Sequence, residues 1–314
     1  MGISIYFWIG FHIFIFLMLA LDLGVFHKKI HKVPVKEAII WSIVWISLAI
    51  LFSICIHLFI YPEPGVGRTK ALEFLTGYVI EYSLSVDNIF VFILIFSYFR
   101  VDDMYQHKVL FWGILGALIM RASFIFAGVA LINRFHWIVI IFGGFLIFTG
   151  IRMLFQKEEP ADPERNLIIK FFRKFLPVTN AFHNDRLFIK QNRKLYATPL
   201  FLVLVIIETS DLIFAVDSIP AILAISKDTF VVYTSNIFAI LGLRSLYFAV
   251  AGIMGYFRYL KTGLAFVLTF VGLKMLLAFF NFEIHIVLSL IIIISILMIS
   301  ILSSLIIRPE DKKS

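Results

Sequence analysis

The sequence predicts an all-α polytopic membrane protein with about nine transmembrane helices, and three observations carry that expectation. The 314 residues are 61% hydrophobic and only 15% charged, where a soluble domain carries about 25% charged residues. Mean hydropathy is +0.99, too high for a globular core and suited to an outer surface that faces lipid. The apolar residues also fall into stretches of about 20 residues, the length a spanning helix requires.

In order, the stretches lie near 3–26, 36–61, 71–98, 108–132, 135–155, 198–225, 230–255, 259–280 and 284–307. The first is expected to persist rather than be cleaved as a signal. No basic residue precedes it, it is longer than a signal h-region, and Lys28, Lys29 and Lys32 follow it. Charge then orients the set. With the N-terminus outside, the inner loops and tail hold 20 Lys and Arg, and the outer loops hold only 4: Arg68, Lys70, Arg134 and Lys227. That asymmetry predicts N-out/C-in, and adding or removing a helix destroys it. The net charge of +8 is therefore an inner-side bias, not a nucleic-acid surface. A single cysteine, Cys55, excludes a disulfide within one chain.

The chain divides into two N-terminal transmembrane helices (1–62), three helices (71–155), a basic cytoplasmic loop (156–197), three more helices (198–280), and a final helix with a cytoplasmic tail (281–314). The loop is interrupted by Pro160, Pro163 and Pro177. Its "LIIKFFRKFL" segment reads either as a short amphipathic helix on an anionic leaflet or as an ordinary inner loop obeying the charge rule.

The loop also separates two copies of one pattern. "EYSLSVDNI" (81–89) aligns with "DLIFAVDSI" (211–219), Arg121 with Arg244, and "FTGIRML" (148–154) with "FVGLKML" (270–276). Each copy contains three helices, an odd number, so the second enters the membrane upside down. Inverted three-helix repeats place a site near the bilayer midplane between halves that can rock, which favours a transporter.

The buried charges point the same way. Glu81 and Asp87 fall on the third span, and Glu208, Asp211 and Asp217 on the sixth. An ionised carboxylate at membrane depth costs about 2.5–3.5 kcal/mol, so five unpaired ones cost about 15 kcal/mol, as much as a whole domain's stability of about 5–15 kcal/mol. Arg121, Arg244 and Lys274 can balance three of them. The remaining two negative charges match one divalent cation or two protons, so exchange of one ion for about two protons keeps the site near neutral. The ligands on offer are carboxylates, Asn88 and the hydroxyls of Ser83, Ser85, Thr209, Ser210 and Ser218, with no histidine or cysteine beside them. Such hard oxygen donors suit Mn²⁺, Mg²⁺ or Ca²⁺ and repel an oxyanion.

"LDLGVF" (21–26), "EFLTGYVIEYSLSVDNIFVF" (73–92) and "ETSDLIFAVDSIPAI" (208–222) resemble the signature segments of the TerC/Alx family of integral membrane proteins, and the resemblance covers nearly the whole chain. The family is named for tellurite resistance, and several members are linked to manganese export. The resemblance thus implies an inner (plasma) membrane protein with Mn²⁺ as the transported ion. No tightly bound cofactor is expected.

Helix geometry adds a condition. Six residues rotate Glu81 and Asp87 about 240° apart, and Asp211 and Asp217 likewise, whereas Glu208 and Asp211 share a face. Aiming both members of a pair at one ion requires unwinding; otherwise the two serve different sites. Pro220, which cannot donate to the Val216 carbonyl, is the expected cause of unwinding in the second copy. Asp22 is a candidate for gating or for pairing with Arg152. Glu73 reads as solvated at the outer interface, and His12 and His57 as satisfied polar residues. "GILGA" (113–117) and "FGGF" (142–145) read as close helix packing.

An enzyme is not expected: no nucleophile elbow, HExxH helix or phosphate loop is present. The competing function is a membrane assembly or envelope-stress factor that docks metallation or secretion partners through 156–197 without transport. Transport needs the acids, whereas docking needs the loop.

Overall fold

The computed structural model describes residues 3–24, 34–135, 137–155, 177–179, 185–191, 194–251, 259–282 and 284–306; within these, the side chains of 21–24, 87, 90, 94 and 217 are not described. The described residues form nine α-helices, α1 (Ile5–Gly24), α2 (Val35–Cys55), α3 (Val66–Tyr98), α4 (Asp103–Arg134), α5 (Ile138–Phe155), α6 (Pro199–Leu223), α7 (Thr229–Ala251), α8 (Leu260–Phe279) and α9 (Ile286–Ile306), with a π-helical turn, Ile56–Ile60, continuing α2. Eight are long and apolar enough to cross a membrane, and α1 contains a shorter apolar segment, Ile5–Ala20. The sequence thus located the helices. It placed the start of the third at 71, whereas α3 begins at Val66 because a left-handed Gly65 (φ +82°) turns the chain there. At about 1.5 Å per residue, its 33 residues reach about 50 Å, well beyond a hydrocarbon core of about 30 Å.

The burial pattern is that of a bundle in lipid. α7 is buried along nearly its whole length, including Thr234, Ser235 and Asn236. α2 and α9 bury only narrow stripes and leave residues such as Ile43, Ile291 and Ile299 exposed. Apolar residues on all sides of an exposed helix have lipid as their solvent.

The six central helices pack symmetrically. α3 lies on α7 as α6 lies on α4, α3 also meets α6, α4 meets α7, and α5–α8 is the most extensive contact. That last interface runs antiparallel through glycines. A methyl group placed on Gly150 would stand 2.6 Å from the Ala265 carbonyl oxygen, and one on Gly272 would stand 2.7 Å from that of Gly143. The alignment of 148–154 with 270–276 makes Gly150 equivalent to Gly272 and, seven residues earlier, Gly143 equivalent to Ala265. The two contacts are therefore one contact seen twice. Backbones this close exclude any side chain and gain dispersion and Cα–H···O contacts instead.

Of the segment 156–197, residues 156–176 lie outside the described residues, "LIIKFFRKFL" among them. Its end forms a hairpin that the sequence did not suggest: β1 (Phe188–Gln191) pairs antiparallel with β2 (Lys194–Ala197), Phe188 opposite Ala197. The Thr198 hydroxyl donates to the Arg186 carbonyl at 2.7 Å, and Pro199 opens α6 at the position where a missing N–H costs nothing.

Candidate functional site: a buried arginine between two carboxylates

Arg121, on α4, is almost wholly buried, and so are its neighbours. Its guanidinium is ion-paired with Glu81 of α3 and, at 3.2 Å, with Asp211 of α6. It also donates to the Ser218 hydroxyl at 3.2 Å and to Asn236 Oδ1 at 3.3 Å. The Asn236 amide nitrogen donates to the Val232 carbonyl at 2.8 Å, which turns its oxygen toward the arginine. Asn88 donates to Asp211 Oδ1 at 3.5 Å. Only arginine offers enough donors in a fixed fork to serve four groups on three helices.

Glu81 and Asp211 are equivalent positions of the two sequence copies. The sequence paired each cation with an acid; the structure gives one arginine to two acids, one from each half. That bridging could not be read locally, because it depends on how α4 is rotated between α3 and α6. Each carboxylate keeps one oxygen, Glu81 Oε2 and Asp211 Oδ2, without a hydrogen-bond partner among the described residues, and so does Arg121 Nε. Buried polar atoms are ordinarily satisfied, so three orphans in one cluster mark a place where another ligand or water belongs.

Beside the cluster lies a small cavity walled by Phe92, Gly113, Ile207, Glu208, Asp211 and Arg244, among others. Its volume, about 10 Å³, is near the least that admits one water. Its lining comes from the half of the bundle where α3 turns into α4. Glu208 and Asp211 share its wall, as three-residue spacing on a helix requires. Glu208 fits because Gly116 has no side chain: a methyl there would lie 2.5 Å from the Glu208 carboxyl carbon. Gly116 and Asn236 are the positions sequence reasoning undervalued. Asn236 carried a signal, an amide directly after Thr234 and Ser235 in an apolar span.

The remaining predicted residues divide clearly. Arg244 lines the cavity, and Lys274 is buried in α8. Asp22, Asp87 and Asp217 have side chains outside those described. Among the described residues no group of three His, Cys, Asp or Glu is gathered as a metal-ligand set, so Glu81, Glu208 and Asp211 do not form one by themselves. The expected unwinding is absent as well: α3 and α6 are helical through both acid pairs, and Pro220 lies inside α6. Pro220 lies in the last turn of α6, which ends at Leu223, and the Ala224 N–H donates to the Pro220 carbonyl at 3.0 Å; lacking an N–H, it denies the Val216 carbonyl its usual partner, yet the helix runs on unbroken.

At the opposite end of the bundle a second polar group ties the halves together. Lys70 reaches Glu73 at 2.8 Å and Asp228 at 3.9 Å. Ser226 donates to Glu73, and Tyr61 donates to Asp228. Asp228 also caps α7, accepting from the Phe230 N–H at 3.0 Å. Glu73 is thus ion-paired and half-buried rather than solvated. Burial, then the hydrogen bond to Asp228 and the charges of Asp228 and Glu73, push the Tyr61 phenol well above its ordinary range. His12 bonds the Trp8 carbonyl at 2.8 Å and the Tyr233 hydroxyl at 3.0 Å, a satisfied histidine.

Comparison with known proteins places this architecture. A membrane protein of Myxococcus xanthus is 53% identical over 85% of this chain and 82% of its own length. Alx of Escherichia coli K12, provisionally named a membrane-bound redox modulator, is 45% identical over 93% of this chain and 92% of its own. A Rickettsia bellii membrane protein is 42% identical over 95% and 97%. No solved structure matches. Residues 66–312, from the first turn of α3 into the tail, match the integral membrane protein TerC family. The chain belongs to the TerC family of integral membrane proteins.

Proposed function

We propose that this protein is a secondary transporter that exports a divalent cation, Mn²⁺ foremost, from the cytoplasm across the inner membrane in exchange for protons. The observation that carries the reading is the Glu81–Arg121–Asp211 cluster, with an unpaired oxygen on each carboxylate and Glu208 on the adjoining cavity wall. A purely structural ion pair has no use for orphaned carboxylate oxygens, one of them on Asp211 in a cavity wall. A cation passing through does, because it supplies the charge they lack. The swapped α5–α8 contacts support inverted repeats, since a dyad relating two antiparallel helices lies in the membrane plane. Oxygen-only donors favour Mn²⁺, Mg²⁺ or Ca²⁺, and the family resemblance favours Mn²⁺.

In this reading Asp211 and Glu208 receive the ion from the cytoplasmic side, and Arg121 holds the acids when no ion is present. Asp87 and Asp217 complete the ligand set or carry the protons. The Alx name suggests a redox role, but with Cys55 alone the chain lacks the two thiols of a dithiol couple. A redox effect would then follow from the metal moved.

Cellular manganese content in a manganese-sensitive host tests the reading against docking through the loop. Asp211→Asn and Glu208→Gln should abolish the decrease that the wild type produces, while deletion of 156–176 should preserve it. The reverse pattern, loop required and acids dispensable, would overturn transport.

A further inference from the structure

The repeat that equates Glu81 with Asp211 and Arg121 with Arg244 contains a second structural state. Carried across the repeat, each wall of the present cavity has a counterpart: Ile207 corresponds to Gly77, Glu208 to Tyr78, Asp211 to Glu81, Arg244 to Arg121, Leu110 to Tyr233 and Gly113 to Asn236. All six counterparts are buried, and Arg121 joins Glu81 to Asn236. A methyl on Gly77 would touch Ile222 at 3.3 Å and the Ser235 hydroxyl at 2.9 Å. Ile222 is the counterpart of Phe92, so Gly77 against Ile222 is the packed version of the Ile207 and Phe92 walls, which line the cavity of about 10 Å³ at the other end.

Unsatisfied polar atoms mark these residues. The Tyr78 hydroxyl, Glu81 Oε2 and Arg121 Nε are buried without hydrogen-bond partners among the described residues, and all three belong to the counterpart set. Unsatisfied atoms packed against apolar neighbours are costly in this state. They would be solvated in one where that region opens.

We propose that the fold holds a second, closed cavity at the α6–α7 end, lined by Gly77, Tyr78, Glu81, Arg121, Tyr233 and Asn236, which opens when Arg244 replaces Arg121 between Glu81 and Asp211. Its ligand is the hydrated divalent cation, an assignment that rests on the transport reading above. One guanidinium fits between the two acids at a time, so the arginines alternate, and whichever has left stands in the wall of the open cavity. The cradles are unequal. Arg121 gains Asn236, whereas the corresponding position for Arg244 is Gly113, with no side chain. The described state is therefore favoured at rest. The Lys70–Glu73–Ser226 and Tyr61–Asp228 contacts close over the hidden cavity and must part for it to open.

Single cysteines at Phe92→Cys and Ile222→Cys, each in a Cys55→Ser background, test this with a membrane-impermeant maleimide applied from either side of sealed vesicles. The two positions should label from opposite faces. Arg244→Gln should lower labelling at 222 at least about fivefold, the low end of coupling between two states, and leave labelling at 92 at or slightly above its wild-type level, because that state already dominates. Arg121→Gln should raise labelling at 222 and lower it at 92, each at least about fivefold. Arg121→Lys, which keeps the charge but not the fork, should shift labelling the same way as Arg121→Gln but less, and serves if the glutamine variant does not fold. Silence at 222 in every background, or parallel changes at both positions, would overturn the proposal. Metal flux without reciprocal labelling removes the hidden cavity and leaves transport standing. Reciprocal labelling without metal flux removes the transported ion and leaves the cavity.

Discussion

Removing Arg121 should destabilise the protein far more than removing either of its carboxylate partners. In Arg121→Gln, Glu81 and Asp211 stay buried, each having lost its cation. Breaking one buried pair by removing a partner costs about 3–5 kcal/mol, a large share of a total of about 5–15 kcal/mol. In Glu81→Gln, Arg121 keeps Asp211 at 3.2 Å, Ser218 at 3.2 Å and Asn236 at 3.3 Å, so the loss should be about 1–3 kcal/mol. The double variant no longer strands a charge at 81 and should be less unstable than the sum of the singles by about 0.5–3 kcal/mol. Thermal unfolding of the purified protein in detergent measures all three. If Arg121→Gln proves as mild as Glu81→Gln, or the effects simply add, Arg121 does not hold the two halves through both acids.

Other consequences can be checked in the same preparations. Gly116→Ala drives a methyl into the Glu208 carboxyl and should cost about 1–3 kcal/mol by overpacking, offset by up to about 1 kcal/mol of helix propensity; Glu208→Ala in the same chain should relieve it. Gly150→Ala and Gly272→Ala meet opposing backbone and should disrupt α5–α8 packing, whereas Gly144→Ala, with nothing within 4 Å, should be neutral or stabilising in melting experiments. The raised Tyr61 phenol implies a contribution complete below its ordinary titration near pH 10 and lost only as pH rises toward the higher folded value. Tyr61→Phe should therefore lose the same stability at pH 7 and pH 9, at most about 1.5–3 kcal/mol for a bond to a charged group. The Lys108 hydrogen bond, at 2.8 Å, holds the Asp185 carboxyl below its usual range against partial desolvation. Its contribution is present above the ordinary carboxylate range and fades as pH falls through the lower folded value. Because that pair is well exposed, Asp185→Asn should cost less than about 1 kcal/mol, and added salt should shrink the difference.

What the sequence made legible follows from the solvent. Lipid demands long apolar helices, so their number and approximate places could be read from runs of Leu, Ile, Val and Phe. Buried charges are expensive, so Glu81, Arg121, Glu208, Asp211 and Arg244 identified themselves. What remained hidden depends on rotation about helix axes and on neighbours far apart in sequence. Nothing near Gly116 says that Glu208 will lie against it. Nothing near Arg121 says that it will take both acids and leave Arg244 on the cavity wall. Pro220 misled because the loss of one N–H to the Val216 carbonyl did not break α6, which runs on to Leu223. The β1–β2 hairpin escaped notice because its strands of four residues are too short for alternation to stand out in a basic segment.

The most direct test is the number of protons moved per ion by purified protein in proteoliposomes, with Mn²⁺, Mg²⁺ and Ca²⁺ offered separately and Asp211→Asn and Glu208→Gln beside the wild type. The charge balance read from the sequence, five acids at membrane depth against three cations, predicts about two protons moving against each Mn²⁺, with both substitutions abolishing the exchange. Folded wild-type protein that moves no proton with any of the three ions would contradict the account, and the acids would then be structural partners of Arg121.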